Sequence, residues 1–195
     1  QLFTTVYPGD VKYVDLTGEN IIDANDRKAI GYSTTAPDIY YNFHLGAEYK
    51  GIGLDAMFQG VGRWTGFMTT NGLYRSAVAT NTLSQYLYEN SWSAERGNTE
   101  SALFPRLSTT SNANNDLNST LNMFDRSYIK LRYVELYYHL PKSLLNKLSV
   151  INNIKLYVRG TDLFTADHLD KADAASYGVA QPLTRSVQLG AALTF

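Results

Sequence analysis

The chain has 195 residues, 44% hydrophobic and 13% aromatic, with a formal net charge of -1 and no cysteine. That composition excludes a disordered polymer, argues against a nucleic-acid partner, which would call for a basic excess, and rules out a disulfide scaffold or thiolate metal site. No run approaches the roughly 18 apolar residues of a transmembrane helix.

The opening QLFTTVYPGD has neither the basic start nor the apolar stretch of a signal peptide. Either the protein is not exported, or the sequence begins inside a longer chain. Residues 1–38 read as loop, and within them lies DLTGENIIDAND. Counted from Asp15, oxygen-bearing side chains fall at positions one, three, five, nine and twelve (Asp15, Thr17, Glu19, Asp23, Asp26). Ile21 supplies the backbone carbonyl at seven. This is the donor density of a calcium loop. Asn20 stands where that pattern has glycine, and Asp26 where it has glutamate. The competing expectation, favoured by those departures, is a polar turn whose aspartates cap a short helix over DANDRKAI.

YYNFHLGAEY then alternates strictly, with Tyr41, Phe43, Leu45, Ala47 and Tyr49 in one phase and Asn42, His44 and Glu48 in the other. A period of two is the signature of a half-covered strand. After a turn at Lys50 and Gly51, IGLDAMFQG repeats the pattern, so 39–62 reads as a hairpin. Residues 63–125 are mostly polar, a long loop. YIKLRYVELYYHL changes phase in its middle, which calls for a one-residue bulge near Arg132–Tyr133. Pro141 ends that strand, and IKLYVRGTDLF follows, so 126–164 reads as strand, turn, strand. Residues 165–184 form another loop and 185–195 (RSVQLGAALTF) a closing strand.

These strands run about ten residues, longer than the 5–6 usual in globular sheets, and they match the roughly 9–11 needed to cross a bilayer at a tilt. Fifteen tyrosines, eight phenylalanines and two tryptophans suit the aromatic girdles of a membrane barrel. Short turns alternate with long loops. With Phe195 on the periplasmic side, every long loop (1–38, 63–125, 165–184) falls outside and every short turn inside. The expected fold class is all-β, the final strands of a transmembrane barrel.

The ordered set PGDVKYVDLTGENIIDANDRKAIG, GAEYKGIGLDAMFQGVG, SWSAERGNTESALFPRLS, DRSYIKLRYVELYYHLPKSLL, IKLYVRGTDLFT and the final strand resembles the C-terminal part of the SusC/RagA family. These are TonB-linked outer-membrane transporters of the Bacteroidetes. The resemblance implies a 22-stranded barrel around an N-terminal plug, capped by a SusD-like lipoprotein and energised through the TonB complex. Its implied cargo is glycan oligosaccharides or, in some members, peptides. It also implies that Phe195 is an assembly signal. The plug and TonB-interacting segment are absent from this sequence, so the expectation is a piece of a larger barrel in outer-membrane lipid.

Lumen-facing candidates are Asn42, His44, Glu48, Asp55, Gln59, Lys130, Glu135, His139, Lys155 and Arg159. Loop aromatics Trp64, Phe67, Tyr74, Tyr86, Tyr88 and Trp92 are placed to stack on sugars, or to pack against a lid or each other. No catalytic residue is expected: His44, His139 and His168 lack metal-ligand spacing, and glycines 60, 62 and 66 miss the dinucleotide spacing. Asp170 and Asp173 read as solvated loop charge. No cofactor is expected beyond the calcium candidate. The alternative function is a soluble β-sandwich carbohydrate-binding module; an outer-membrane barrel enzyme would need a catalytic constellation that the sequence does not show.

Overall fold

The computed structural model describes residues 1, 5–70, 73–76, 82–145, 150–169 and 184–195. They form two compact units, one of Gln1–Gly31 with Gly66–Phe124 and one of Tyr32–Thr65 with Asp125–Phe195. Among the described residues the regular structure is mostly strand, with two short helices.

The second unit is a sheet of five antiparallel strands in the order β1 (Ile39–Tyr49), β2 (Ile52–Gly62), β5 (Tyr128–His139), β6 (Asn153–Asp167) and β7 (Ser186–Thr194). Two three-residue strands, β3 (Thr65–Phe67) and β4 (Met123–Asp125), pair separately. Helix α1 (Gln85–Asn90) lies between them in sequence, and α2 (Lys142–Leu145) follows Pro141. Among the described residues no helix is long and apolar enough to cross a membrane.

The β1–β2 turn is closed by two residues with positive φ, Lys50 at 51° and Gly51 at 84°. Both central residues of a type I′ turn need that backbone, which matches the twist of the flanking strands. Gly51 is also packed: a Cβ there would lie 2.9 Å from the His139 carbonyl oxygen, and the His139 N–H donates to the Gly51 carbonyl at 2.7 Å. Gly51→Val is therefore expected to destabilise the hairpin by more than the 1–2 kcal/mol of left-handed strain alone. The measurement is the folded fraction of the parent barrel by heat-dependent gel mobility; an unchanged fraction would exclude this turn geometry.

The phase change in β5 has a structural cause. Leu131 pairs with Phe58 of β2 and Tyr133 with Met57, so Arg132 is the extra residue. On the other side Leu131 faces Phe164 and Tyr133 faces Thr161, leaving Asp162 and Leu163 opposite Arg132. Arg132 Nη1 and Asp162 Oδ1 lie 2.8 Å apart across this irregularity, and Asp162 has a φ of 52°. The bulge turns every later side chain of β5 to the opposite face, as the sequence requires.

Where a short helix was one expectation for DANDRKAI, the structure has only a turn at 23–26 followed by chain without regular structure. The Asp23 carboxylate accepts the Asn25 N–H at 2.7 Å, and Asp26 Oδ2 accepts the Asp23 N–H at 2.8 Å. Aspartates that bond the backbone locally compete with helix formation.

Candidate functional site

Directly paired residues of an antiparallel sheet point to the same face, so the register fixes both faces. One carries Phe43 beside Phe58, Leu45 beside Ala56, Leu54 beside Leu136, then Val158 and Leu189 in a continuous row. Phe43 and Phe58 stack with centroids 4.7 Å apart. Leu45, Leu156, Leu189 and Leu193 are exposed, Leu189 at 81%. An apolar face of this extent left open on a long-stranded sheet marks contact with lipid or protein.

The other face is polar and brings together all ten lumen candidates. Asn42 pairs with Gln59 and Gln59 with Lys130; Asp55 pairs with Glu135, Glu135 with Arg159, and His139 with Lys155. His44 stands in the same phase and its Nε2 contacts Asp55 Oδ1, with the Tyr133 hydroxyl 3.4 Å from the same nitrogen. The Tyr137 hydroxyl donates to Glu48 at 3.1 Å. His139 Nδ1 lies 3.1 Å from Asn153 Oδ1. Glu135, 2% exposed, holds two cations, with Lys155 Nζ at 2.5 Å and Arg159 Nη2 at 2.6 Å.

The sequence reading missed the tyrosines of this face. Tyr137 lies across Gly53 and Tyr157 across Gly190, where an added Cβ would come within 2.1 Å and 2.4 Å of the rings. Lys155 Nζ sits 4.3 Å from the Tyr137 ring centroid and the Arg159 guanidinium 5.3 Å from that of Tyr133. The available signal was glycine inside an otherwise regular strand, which marks close approach of a neighbour.

In the first unit, the segment after Pro8 is clasped by the segment around Arg106. Asp10, whose side chain is 0% exposed, accepts from the Tyr7 N–H at 2.9 Å, Asn115 Nδ2 at 2.8 Å and Asn112 Nδ2 at 3.1 Å, and pairs with Arg106. Buried Asn114 donates to the Val11 carbonyl at 2.8 Å. Trp92 packs on Gly9, where a Cβ would fall 2.3 Å from the ring. Two of the sequence motifs, PGD and SWSAERGNTESALFPRLS, thus meet in space. Burial alone would raise the Asp10 pKa, but the hydrogen bonds and Arg106 outweigh it and hold the carboxyl below its ordinary value. A lowered folded pKa gives stability that is present above the unfolded carboxylate pKa and lost as pH falls through the folded one. We expect Asp10→Ala to cost about 2–3 kcal/mol locally, since it orphans buried donors and a cation. Hydrogen exchange at residues 7–13 and 104–115 should then rise, and in the parent sequence the same rise should appear only below about pH 4.

The calcium candidates sit in a self-satisfied loop. Asp15 accepts the Gly18 and Asn20 N–H groups at 2.6 and 2.7 Å, with Asn20 at a φ of 62°. Asp26 Oδ1 accepts the Leu16 and Thr17 N–H groups, and the Thr17 hydroxyl lies 3.2 Å from Glu19. These bonds hold the Asp26 carboxyl below its usual range, the Asp23 N–H contributing most. Ile21 is an exposed side chain of the same loop. The Thr17 hydroxyl also lies 3.2 Å from Asp15 Oδ1 and 3.3 Å from Asp26 Oδ1, and among the described residues no group of three or more His, Cys, Asp or Glu side chains is placed to hold a metal ion.

The loop aromatics are largely occupied by neighbours. Arg126 lies 3.6 Å over Trp64 and Arg96 4.3 Å over Tyr88, while Tyr74 and Tyr86 both contact Phe104. Phe67 ends β3. Phe195 follows β7 and is 70% exposed. Asp170 and Asp173 lie outside the described residues.

Long antiparallel strands with one apolar and one polar face are the construction of a membrane-barrel wall. Comparison with known proteins agrees. TonB-dependent receptor P3 of Formosa agariphila is 29% identical over 167 residues, covering 85% of this chain and 15% of the receptor. The RagAB peptide transporter structure matches with a TM-score of 0.67 at 24% identity, over 90% of this chain and 19% of the solved one. The "open-open" RagAB peptide importer matches at 0.64 over the same shares. No protein-family model matches. The chain spans less than a fifth of the length of the receptor it matches. The SusC/RagA-like, TonB-dependent resemblance carried by the motifs is thus carried also by a curated relative and by the fold, and the outer membrane is the chain's location.

Proposed function

We propose that these residues are the closing part of a TonB-dependent importer, a 22-stranded barrel of which the polar face lines the lumen and the apolar face meets lipid. The observation that carries this reading is the two-faced sheet, with Leu189 81% exposed on one side and Glu135 2% exposed on the other. A soluble sandwich would cover its apolar face with a second sheet, and among the described residues none does so. The RagAB likeness supports a surface lipoprotein of the SusD-like kind as partner. Residues 1–38, 63–125 and 165–184 would then stand outside the cell, with Phe195 serving as assembly signal at the periplasmic end. The cargo is an oligosaccharide or a peptide, as the motif resemblance and the RagAB names respectively favour. The loop at 15–26 enters this reading as a self-capped turn. Enzymatic chemistry has no place in it.

Among the described residues the outer edges of β1 and β7 have no strand partner, and in lipid each unpaired backbone group costs several kcal/mol. Those partners would come from the remainder of the parent chain, which also supplies the plug. The test is two-part. Expressed alone, the 195 residues should fail to insert, and co-expression with the preceding polypeptide should restore a barrel. The restored receptor should accumulate cargo only in cells with a working TonB complex. Uptake that survives loss of TonB would sink the proposal.

A further inference from the structure

The first unit contains an open groove of about 1050 Å³. Segment 11–30 forms one part of its lining and segment 116–121 another, with Phe67 and Arg75 between them in sequence. Its apolar lining is exposed, with Val14 at 70%, Leu16 at 46% and Leu121 at 52%. Four cations also line it, Lys12, Arg27, Lys28 and Arg75, and among the described residues none of them makes an ion pair. The acids Asp23 and Asp26 direct their oxygens to N–H groups of their own loop. With Asp116 the lining holds three acids against four cations, an excess of one positive charge.

Arg75 points to the chemistry. Its Nη2 donates to Asn118 Oδ1 at 3.3 Å, and among the described residues its Nε has no acceptor. A guanidinium whose fork meets only a neutral amide oxygen is best complemented by a carboxylate. Aliphatic side chains beside unpaired cations fit an extended chain that alternates apolar and acidic groups.

We infer that this groove binds an acidic peptide, with apolar side chains against Leu117 and Leu121 and a carboxylate on Arg75. The inference rests on the importer reading, in which this unit stands outside the membrane. The test uses the full parent receptor in detergent and a short fluorescein-labelled peptide of alternating valine and glutamate. The peptide should bind, more weakly as salt rises. Arg75→Gln should weaken it about tenfold or more, the scale of one charge-assisted hydrogen bond. Leu121→Asp, which puts an acid in the groove, should weaken it similarly. Heat-dependent gel mobility verifies that each variant is folded, and Lys28→Gln replaces any that is not. An affinity unchanged by these variants, equal binding of the lysine-for-glutamate peptide, or displacement by a neutral oligosaccharide would overturn the inference. TonB-dependent uptake is measured separately, so failure of the importer reading shows there, while failure of the groove shows in the binding curves.

Discussion

Leu189→Arg is expected to remove most of the assembled barrel from the outer membrane, whereas Gln188→Arg should leave most of it in place. Leu189 lies in the middle of β7, is 81% exposed, and pairs with Val158 on the apolar face. An arginine near mid-bilayer on a barrel's lipid face costs about 2–4 kcal/mol. That is a factor of about thirty to nearly a thousand in the folded population. Gln188 pairs with Arg159 on the polar face, where water and the Glu135 carboxylate are at hand. A second arginine there adds like-charge repulsion across the strand pair, a penalty of about 0.2–1 kcal/mol. Both variants would be measured as heat-modifiable receptor in outer-membrane fractions, relative to total synthesis. Equal levels for the two would mean that β7 is not embedded as proposed.

The faces were legible because a period of two needs no tertiary knowledge. Tyr41, Phe43, Leu45 and Ala47 announce the face of β1, and the phase switch between Leu131 and Val134 announces the bulge that the pairing places at Arg132. The all-β class and the RagAB-like fold followed from the same alternation and the motif order. Long-range side-chain contact was less legible. Nothing local to Gly9 says that Trp92, over eighty positions away, will fill the space where a Cβ would be. The aspartates of 15–26 are ambiguous from spacing, since the same short carboxylates suit cation coordination, helix capping and local turns. In the structure Asp15 and Asp26 accept the loop's own N–H groups, and spacing alone does not reveal those bonds. The tyrosines of the polar face went unread because tyrosine is counted as apolar in an alternation, although its hydroxyl reaches Glu48 and its ring covers glycine.

The most consequential polar substitution should be Glu135→Leu. This carboxylate is 2% exposed and holds Lys155 and Arg159 from the neighbouring strand β6. Removing one partner of a buried ionic group costs about 3–5 kcal/mol, mostly because the remaining charges are left uncompensated. Two features lower that figure here. The Lys155 and Arg159 side chains are 28% and 43% exposed, so water screens part of the loss. Both cations also lie near tyrosine rings, Lys155 at 4.3 Å from Tyr137 and Arg159 at 5.3 Å from Tyr133, which offers a fallback of about 0.5–1 kcal/mol each. The expected loss is therefore about 2–3 kcal/mol, read from urea unfolding of the full receptor in micelles. The cause can be isolated, because an apolar replacement of the whole cluster leaves no orphaned charge. Glu135→Leu combined with Lys155→Met and Arg159→Met should recover most of the stability that the single change removes. Should the triple variant be no more stable than Glu135→Leu alone, shape at this position rather than stranded charge would be the source of the loss, and the electrostatic account of the polar face would fall with it.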